Sequence, residues 1–240
     1  MHPALLVLLY TLPALAVATA GGAWAAWRPP SEALTAVIQH FAAGIVFAAT
    51  ALELLPKERT EAALPVVIGF TLGIALMLLV RRLAGAIEKR EQARRFPAGM
   101  LAITALDLLI DGLVLGMAFA AGEKAGVLLA IALTLEVLFL ALSVSAAMSR
   151  SGAGRAAALA AAPGLALILC LAAMLGRLFF GALPPFAFAV LLGIGIVALL
   201  YLVTEELLVE AHEVAETPWS TSAFFVGFLL FLVIEMAVEA

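Results

Sequence analysis

The chain has 240 residues, of which 65% are hydrophobic and 12% charged, with a formal net charge of −4 and a mean hydropathy of +1.18. No soluble globular domain has this composition, so we predict a polytopic helical membrane protein with the lipid bilayer around it. One cysteine, Cys170, excludes an internal disulfide and a CxxC metal site, and three histidines without a His-rich tract exclude a conventional histidine metal cage. Nucleic acid is not expected as a partner.

Eight apolar runs are long enough to span a bilayer as helices. They lie at about 4–26, 34–56, 64–82, 97–121, 125–148, 156–180, 184–208 and 219–239. Proline, glycine and charged residues separate the runs, and no strand-type alternation occurs. The first run lacks a basic flank and is longer than the apolar core of a signal peptide, so we expect a retained span. The sequence therefore predicts one all-α transmembrane domain covering residues 1–240.

The distribution of Lys and Arg predicts the orientation of these spans. If the N-terminus is outside, nine of the 13 Lys and Arg residues fall on the inner side and four on the outer side. Cytoplasmic loops carry the excess of basic residues in membrane proteins. Both termini are therefore expected outside.

Three carboxylic acids interrupt the fourth and fifth runs. Asp107 and Asp111 are four residues apart, so on a helix they lie on one face, about 6 Å apart along the axis. Glu136 lies on the following run, which must return antiparallel, at nearly the same depth. A charge at the centre of a spanning helix costs about 2.5–3.5 kcal/mol, so such residues are seldom present without a function. The pattern predicts an intramembrane cation site.

A structural explanation of these acids stays open. Asp107 and Asp111 could form a buried polar pair bonded to Thr104 or to a neighbouring helix, and a neutral Glu136 could bond a backbone carbonyl. However, two acids one turn apart repel each other unless one is protonated or a cation lies between them. A cation or proton role is therefore favoured.

Further polar residues define a candidate path to and from this site. The seventh run ends in an acidic segment that we interpret as an inner exit path, and other candidates lie near the inner end of the second run, at its outer end and on the fifth run. The acidic segment contains Glu205, Glu206, Glu210 and His212. The other candidates are His40 near the inner end of the second run, Glu53 at its outer end and Ser143 on the fifth run. A solvated acidic helix end is the alternative interpretation of the first group.

Two segments of the chain are similar in sequence. Residues 44–46 lead to Glu53-Leu54-Leu55 in the second run, and residues 195–197 lead to Glu206-Leu207-Leu208 in the seventh. The seventh run comes five runs after the second, so the two segments run in opposite directions through the bilayer. Inverted repeats of this kind are typical of secondary transporters, whose sites lie near the midplane.

Three motifs together resemble the ZIP (Zrt/Irt-like) family of divalent metal transporters: residues 40–44 with 53–56, residues 107–112, and residues 136–139. The resemblance implies a 3+2+3 helix arrangement with inverted flanks, both termini outside, and alternating access. It also implies a binuclear metal site between the fourth and fifth helices. Asp107 and Glu136 would take the places of two histidines, Asp111 would be the retained acid, and Glu205 and Glu206 resemble exit residues.

The sequence also departs from the family's motifs. Leu108 stands where an asparagine is usual, and Ile110 and Phe139 replace two prolines. We therefore expect one cation site with three carboxylates instead of a binuclear centre. Carboxylates suit manganese and magnesium, but zinc also accepts them, so zinc, manganese, iron and magnesium are not distinguished as the transported metal ion.

The sequence as a whole predicts a non-enzymatic protein of a bacterial inner membrane that moves metal toward the cytosol. Two alternatives remain: a proton- or sodium-linked transporter of another solute on the same scaffold, and a non-transporting, metal-sensing membrane protein. An intramembrane aspartyl protease would need its two acids on facing helices, whereas Asp107 and Asp111 share one. The small residues Gly69, Gly73 and Ala75 are compatible with a homodimer.

Overall fold

The fold consists of helices joined by short turns. A computed structural model describes residues 3–91, 98–152, 154–212, 214 and 217–239; it is 91% helical, with no strand in these ranges. Within the described ranges, eight helices are long and apolar enough to cross a membrane, as predicted. They are α1 (Pro3–Trp27), α2 (Glu32–Glu58), α3 (Ala63–Glu91), α4 (Ala98–Ala121), α5 (Glu123–Arg150), α6 (Arg155–Phe180), α7 (Pro185–Ala211) and α8 (Pro218–Glu239).

The helix boundaries follow local signals in the sequence, with one clear difference. The Ser31 side chain accepts a hydrogen bond from the Leu34 N–H and so caps α2. Gly122 alone separates α4 from α5. By contrast, α3 continues to Glu91, well beyond its predicted end at residue 82, because residues 83–91 are mostly good helix formers, although residues 88–91 are all charged. The predicted first residue of α4, at position 97, lies outside the described residues.

Two helices contain a π-helical segment. In α2 it covers Thr50–Leu54, and in α7 it covers Leu202–Leu207. Each segment includes acidic residues, Glu53 in the first and Glu205 with Glu206 in the second. A π segment widens the helix locally and changes which face the following side chains occupy, and such segments are frequent at functional sites.

The helices pack in defined pairs. The centre is formed by α1, α4, α5 and α6, while α2 packs on α8 and α3 on α7. Glycines permit the closest approaches: an added Cβ at Gly112 would lie 2.5 Å from the Leu169 carbonyl oxygen on α6. Gly69 and Gly73 likewise face α7 of the same chain. These two glycines therefore allow α3 and α7 of one molecule to pack closely, and the expected homodimer stays a prediction.

The first half of α1 and the last turns of α8 lie at the same end of the bundle as the α4–α5 turn, since Tyr10 stacks on Phe119 and Lys124 pairs with Glu235. We call this the terminal end and the other one the opposite end. Counted from Ala98 and Glu123, Asp111 and Glu136 are each the fourteenth residue of their helices, α4 and α5. Both residues therefore lie close to the middle of a spanning helix, far from either end.

Candidate cation site

The antiparallel pair α4 and α5 brings the three predicted acids together. Asp107, Asp111 and Glu136 each offer one carboxylate oxygen, and these atoms all lie within 4.8 Å of one another. Asp111 is 1% exposed and Glu136 is fully buried, while Asp107 is partly accessible. The convergence expected from the sequence is therefore present, although binding of an ion stays a prediction.

No hydrogen-bond donor satisfies the buried part of this cluster. Oδ2 of Asp111 and both carboxyl oxygens of Glu136 have no hydrogen-bond partner in the described part of the chain. The hydroxyl groups of two threonines on these helices donate to backbone carbonyls: Thr104 to the Met100 oxygen at 3.0 Å and Thr134 to the Ala130 oxygen at 2.6 Å. The proposed bond to Thr104 is thus not formed. Buried polar atoms without a partner call for an added proton or cation.

The repulsion between the acids also requires an added proton or cation. Two ionised carboxylates about 5 Å apart repel each other by roughly 3 kcal/mol at an effective dielectric constant of about 20. Asp111 and Glu136 lie close enough to share a proton, and Asp107 is close enough to interact with both. A bound dication would convert this repulsion into attraction.

The spacing and chemistry of the oxygens suit a metal ion. Carboxylate oxygens lie about 2.0–2.6 Å from a bound dication, so two of them on one ion are at most about 4–5 Å apart. A spread within 4.8 Å therefore needs little side-chain movement. The cluster contains oxygen ligands only, which suit magnesium, calcium and manganese best.

A cavity connects the cluster with the opposite end of the bundle. It has a volume of about 390 Å³ between α3, α4 and α7, and Asp107 and Asp111 line it. The predicted path residues Glu205, Glu206 and Glu210 also line it. At its mouth Arg81 and Glu205 form an ion pair at 2.9 Å, but both side chains are substantially exposed, so the pair contributes little stability.

Glu206 lies closer to the cluster than the sequence indicated. It comes from the π segment of α7, and its carboxyl group is within hydrogen-bonding distance of Asp107. Helix periodicity within α4 or α7 carries no information about this contact between two helices. Glu206 therefore adds a fourth carboxyl group where the cluster meets the cavity.

Glu210 connects the first cavity with a second one. The second cavity, about 420 Å³ in volume, is lined by Glu210, Ser143 and Arg150 among others. Gln39 donates a hydrogen bond to Glu210 at 2.7 Å between these spaces. Ser143 is seven residues from Glu136, or about 10 Å along α5, so it lies in the second cavity and not at the acid cluster.

His40 and His212 lie together, away from the three acids. Their ring centroids are 5.2 Å apart, and His40 is 3% exposed. They line a small cavity of about 160 Å³ together with residues of α7 and α8. The sequence suggested both for the exit path, and the structure places them beside each other.

The terminal end contains an ion-pair cluster that was not predicted from the sequence. Nζ of Lys124 lies 3.2 Å from Oε1 of Glu53 and 3.2 Å from Oε1 of Glu235. Glu53, a predicted path residue, is only 5% exposed. Lys124 thus connects α5 with α2 and α8. A single lysine at the first turn of a long apolar run was the one available signal.

Comparison with known proteins supplies no family for this chain. No model of a known protein family matches it, and a search of curated proteins found no significant match.

Proposed function

We propose that this multi-pass membrane protein transports a divalent metal cation through a carboxylate site at mid-membrane depth. The observation that carries the proposal is the convergence of Asp107, Asp111 and Glu136 within 4.8 Å, from two antiparallel spanning helices. Ionisable groups at this depth typically mark the path of an ion or proton. Three facing acids, of which Asp111 and Glu136 have carboxyl oxygens without a donor among the described residues, favour a cation.

Access to the site supports an alternating-access cycle. The cavity of about 390 Å³ reaches Asp107 and Asp111 from the opposite end, while Lys124 joins α2, α5 and α8 at the terminal end. We assign this conformation to the state open to the cytosol. The ion would leave past Glu206 and Glu210, whose carboxylates attract cations along the cavity.

The helix contacts support a ZIP-like 3+2+3 arrangement with inverted repeats. Exchanging α1 with α6, α2 with α7, α3 with α8 and α4 with α5 maps the principal contacts onto one another: α1–α5 onto α6–α4, α2–α8 onto α7–α3, and α2–α5 onto α7–α4. The π segments of α2 and α7 correspond under the same exchange. This symmetry suits a transporter in which one flank moves against the other.

Orientation and direction are part of the proposal. With both termini outside, the basic residues concentrate on the cytosolic side, and the open cavity faces the cytosol. Metal would then move inward. A bacterial inner membrane as the location stays a prediction from the sequence.

Flux measurements in proteoliposomes test the proposal. We expect the wild-type protein to take up at least one ion from a panel of zinc, manganese, iron and magnesium, and Asp111→Ala to abolish that uptake. The matched control is Glu61→Gln, which removes an exposed acid in the turn between α2 and α3 and should leave uptake unchanged. Uptake by Asp111→Ala at the wild-type rate would contradict the proposal. Proton flux with no divalent flux would favour the proton-linked alternative.

A further inference from the structure

The last residue of α2 is a buried acid that does not belong to the carboxylate cluster. Glu58 lies at the terminal end, and only 1% of it is exposed. Both of its carboxyl oxygens are buried, and neither has a hydrogen-bond partner in the described part of the chain. Buried polar groups in proteins are nearly always paired, so an unpaired carboxyl group outside the cation site needs its own explanation.

The carboxyl group of Glu58 lies beside two helices that carry no charge in this region. Its Oε1 is 3.0 Å from the position that a Cβ on Gly193 of α7 would take. The Cα of Gly69 on α3 is 3.2 Å from the same position, so α3 and α7 meet closely beside the acid. Residues 63–80 of α3 and 185–201 of α7 include no Asp, Glu, His, Lys or Arg. These two stretches therefore offer Glu58 no ion pair.

The charged residues closest to Glu58 in the sequence do not compensate it either. Nζ of Lys57 lies beside the single-residue turn between α4 and α5, and Glu53 forms its ion pair with α5. Arg59 and Glu61, in the turn that follows α2, are exposed. Among the described residues, none of the ion pairs includes Glu58.

A proton fits this environment better than a negative charge or a metal ion. An isolated carboxylate costs far more to transfer from water to apolar surroundings than the neutral acid does, so a buried acid without a partner keeps its proton. A metal ion needs several ligands, and the three-acid group within the described ranges does not include Glu58. A proton needs one oxygen only, and Glu58 supplies it.

We propose that Glu58 is a proton-binding site that holds the terminal ends of α2, α3 and α7 together. The three helices pack as observed while the carboxyl group carries its proton. When the proton passes to water at the terminal end, the remaining carboxylate needs hydration, and water reaches it as the helices separate. Acid therefore favours the packed arrangement, and this preference is lost as the pH rises. The inference does not depend on the proposed metal transport.

Spin labels at two exposed positions of the terminal end test this proposal. In the full-length protein with Cys170→Ala, Ala62→Cys carries a label in the turn after α2 and Phe186→Cys carries one at the start of α7. We expect double electron–electron resonance to show a shift to longer distances as the pH rises. Glu58→Gln, whose amide stays neutral, should keep the short distances at every pH. The matched control, Glu61→Gln, removes an exposed acid from the same turn and should keep the pH-dependent shift.

Distances that do not change with pH in the labelled protein with Glu58 intact would overturn the proposal, and this readout does not require a Glu58 variant to fold. Retention of the full shift in Glu58→Gln would overturn it as well. Infrared spectroscopy detects the proton itself. At mildly acidic pH an exposed glutamate is ionised, so the carboxylic acid C=O band should be smaller in Glu58→Gln than in Glu61→Gln. Equal bands in the two variants would show that Glu58 holds no proton.

Discussion

Asp111 and Glu136 are buried carboxyl groups, and Oδ2 of Asp111 and both carboxyl oxygens of Glu136 have no donor among the described residues. Leaving a buried polar group without a partner costs about 1–3 kcal/mol, and the mutual repulsion of the acids adds to that cost. A folded protein retains such groups where a ligand or proton compensates them. At the scale of single residues, this explains why three acids are tolerated in the middle of a bilayer.

Acid should weaken metal binding at this cluster. Protons and the metal ion occupy the same carboxylate oxygens, so the ion must displace protons, and this becomes harder as the pH falls. We expect the apparent Kd for Mn²⁺ to rise steadily with decreasing pH. Asp107→Asn removes one of the competing carboxylates, so its Kd should depend less steeply on pH. Isotherms measured over a pH series check both slopes, and a Kd independent of pH would count against a carboxylate site.

The sequence predicts a contact in the site when its residues lie on one helix or on two helices joined by a short turn. The i, i+4 spacing places Asp107 and Asp111 on one face, and the single-residue turn at Gly122 brings Glu136 back at the same depth. By contrast, Gln39 and Glu210 are 171 residues apart, and no periodicity within α2 or α7 predicts their hydrogen bond.

At the scale of helices, close packing depends on particular glycines. Gly112→Ala would place a Cβ 2.5 Å from the Leu169 carbonyl oxygen and 2.6 Å from Ala172 on α6. Since backbone cannot yield easily, we expect a loss of about 1–3 kcal/mol of stability and a lower thermal midpoint in detergent.

Gly164→Ala is the matched control for this prediction. The same change on α6 meets nothing within 4 Å and should leave the midpoint equal or slightly higher, because alanine favours helices by up to about 1 kcal/mol over glycine. Equal midpoints for the two variants would contradict the assigned α4–α6 contact.

Hydropathy predicted the number of helices but not their internal irregularities. Apolar runs define the eight spans because a spanning helix needs about 20 apolar residues. The π segments at Thr50–Leu54 and Leu202–Leu207 leave hydropathy unchanged, so the sequence did not predict them. The extension of α3 to Glu91 was not predicted, because a helix can continue beyond its apolar residues.

At the scale of the whole molecule, the two ends of the bundle differ. The opposite end has a cavity that reaches the acids, whereas Lys124 joins three helices at the terminal end. The ion pair from Lys124 to Glu235 spans 111 residues of sequence, so it depends on the assembled fold. We infer that the Lys124 ion pairs hold the terminal end closed.

Removing the Lys124 charge should open the terminal end. In a Cys170→Ala background, Thr50→Cys places a thiol at a position that is 1% exposed. Adding Lys124→Met should accelerate labelling of this thiol by a membrane-impermeant maleimide several-fold. The control is Arg59→Met, which removes an exposed charge near the same end and should not change the rate. Equal rates for Lys124→Met and Arg59→Met would show that Lys124 does not close this end.

We propose one divalent cation held jointly by Asp107, Asp111 and Glu136. Anomalous scattering from crystals of the protein soaked in Mn²⁺ tests it most directly, because the signal locates the ion independently of any transport assay. We expect one anomalous peak among the three carboxyl groups in the wild-type protein and no peak there in Asp111→Ala. A wild-type protein with no manganese at this cluster, at concentrations that support uptake, would overturn the proposed site.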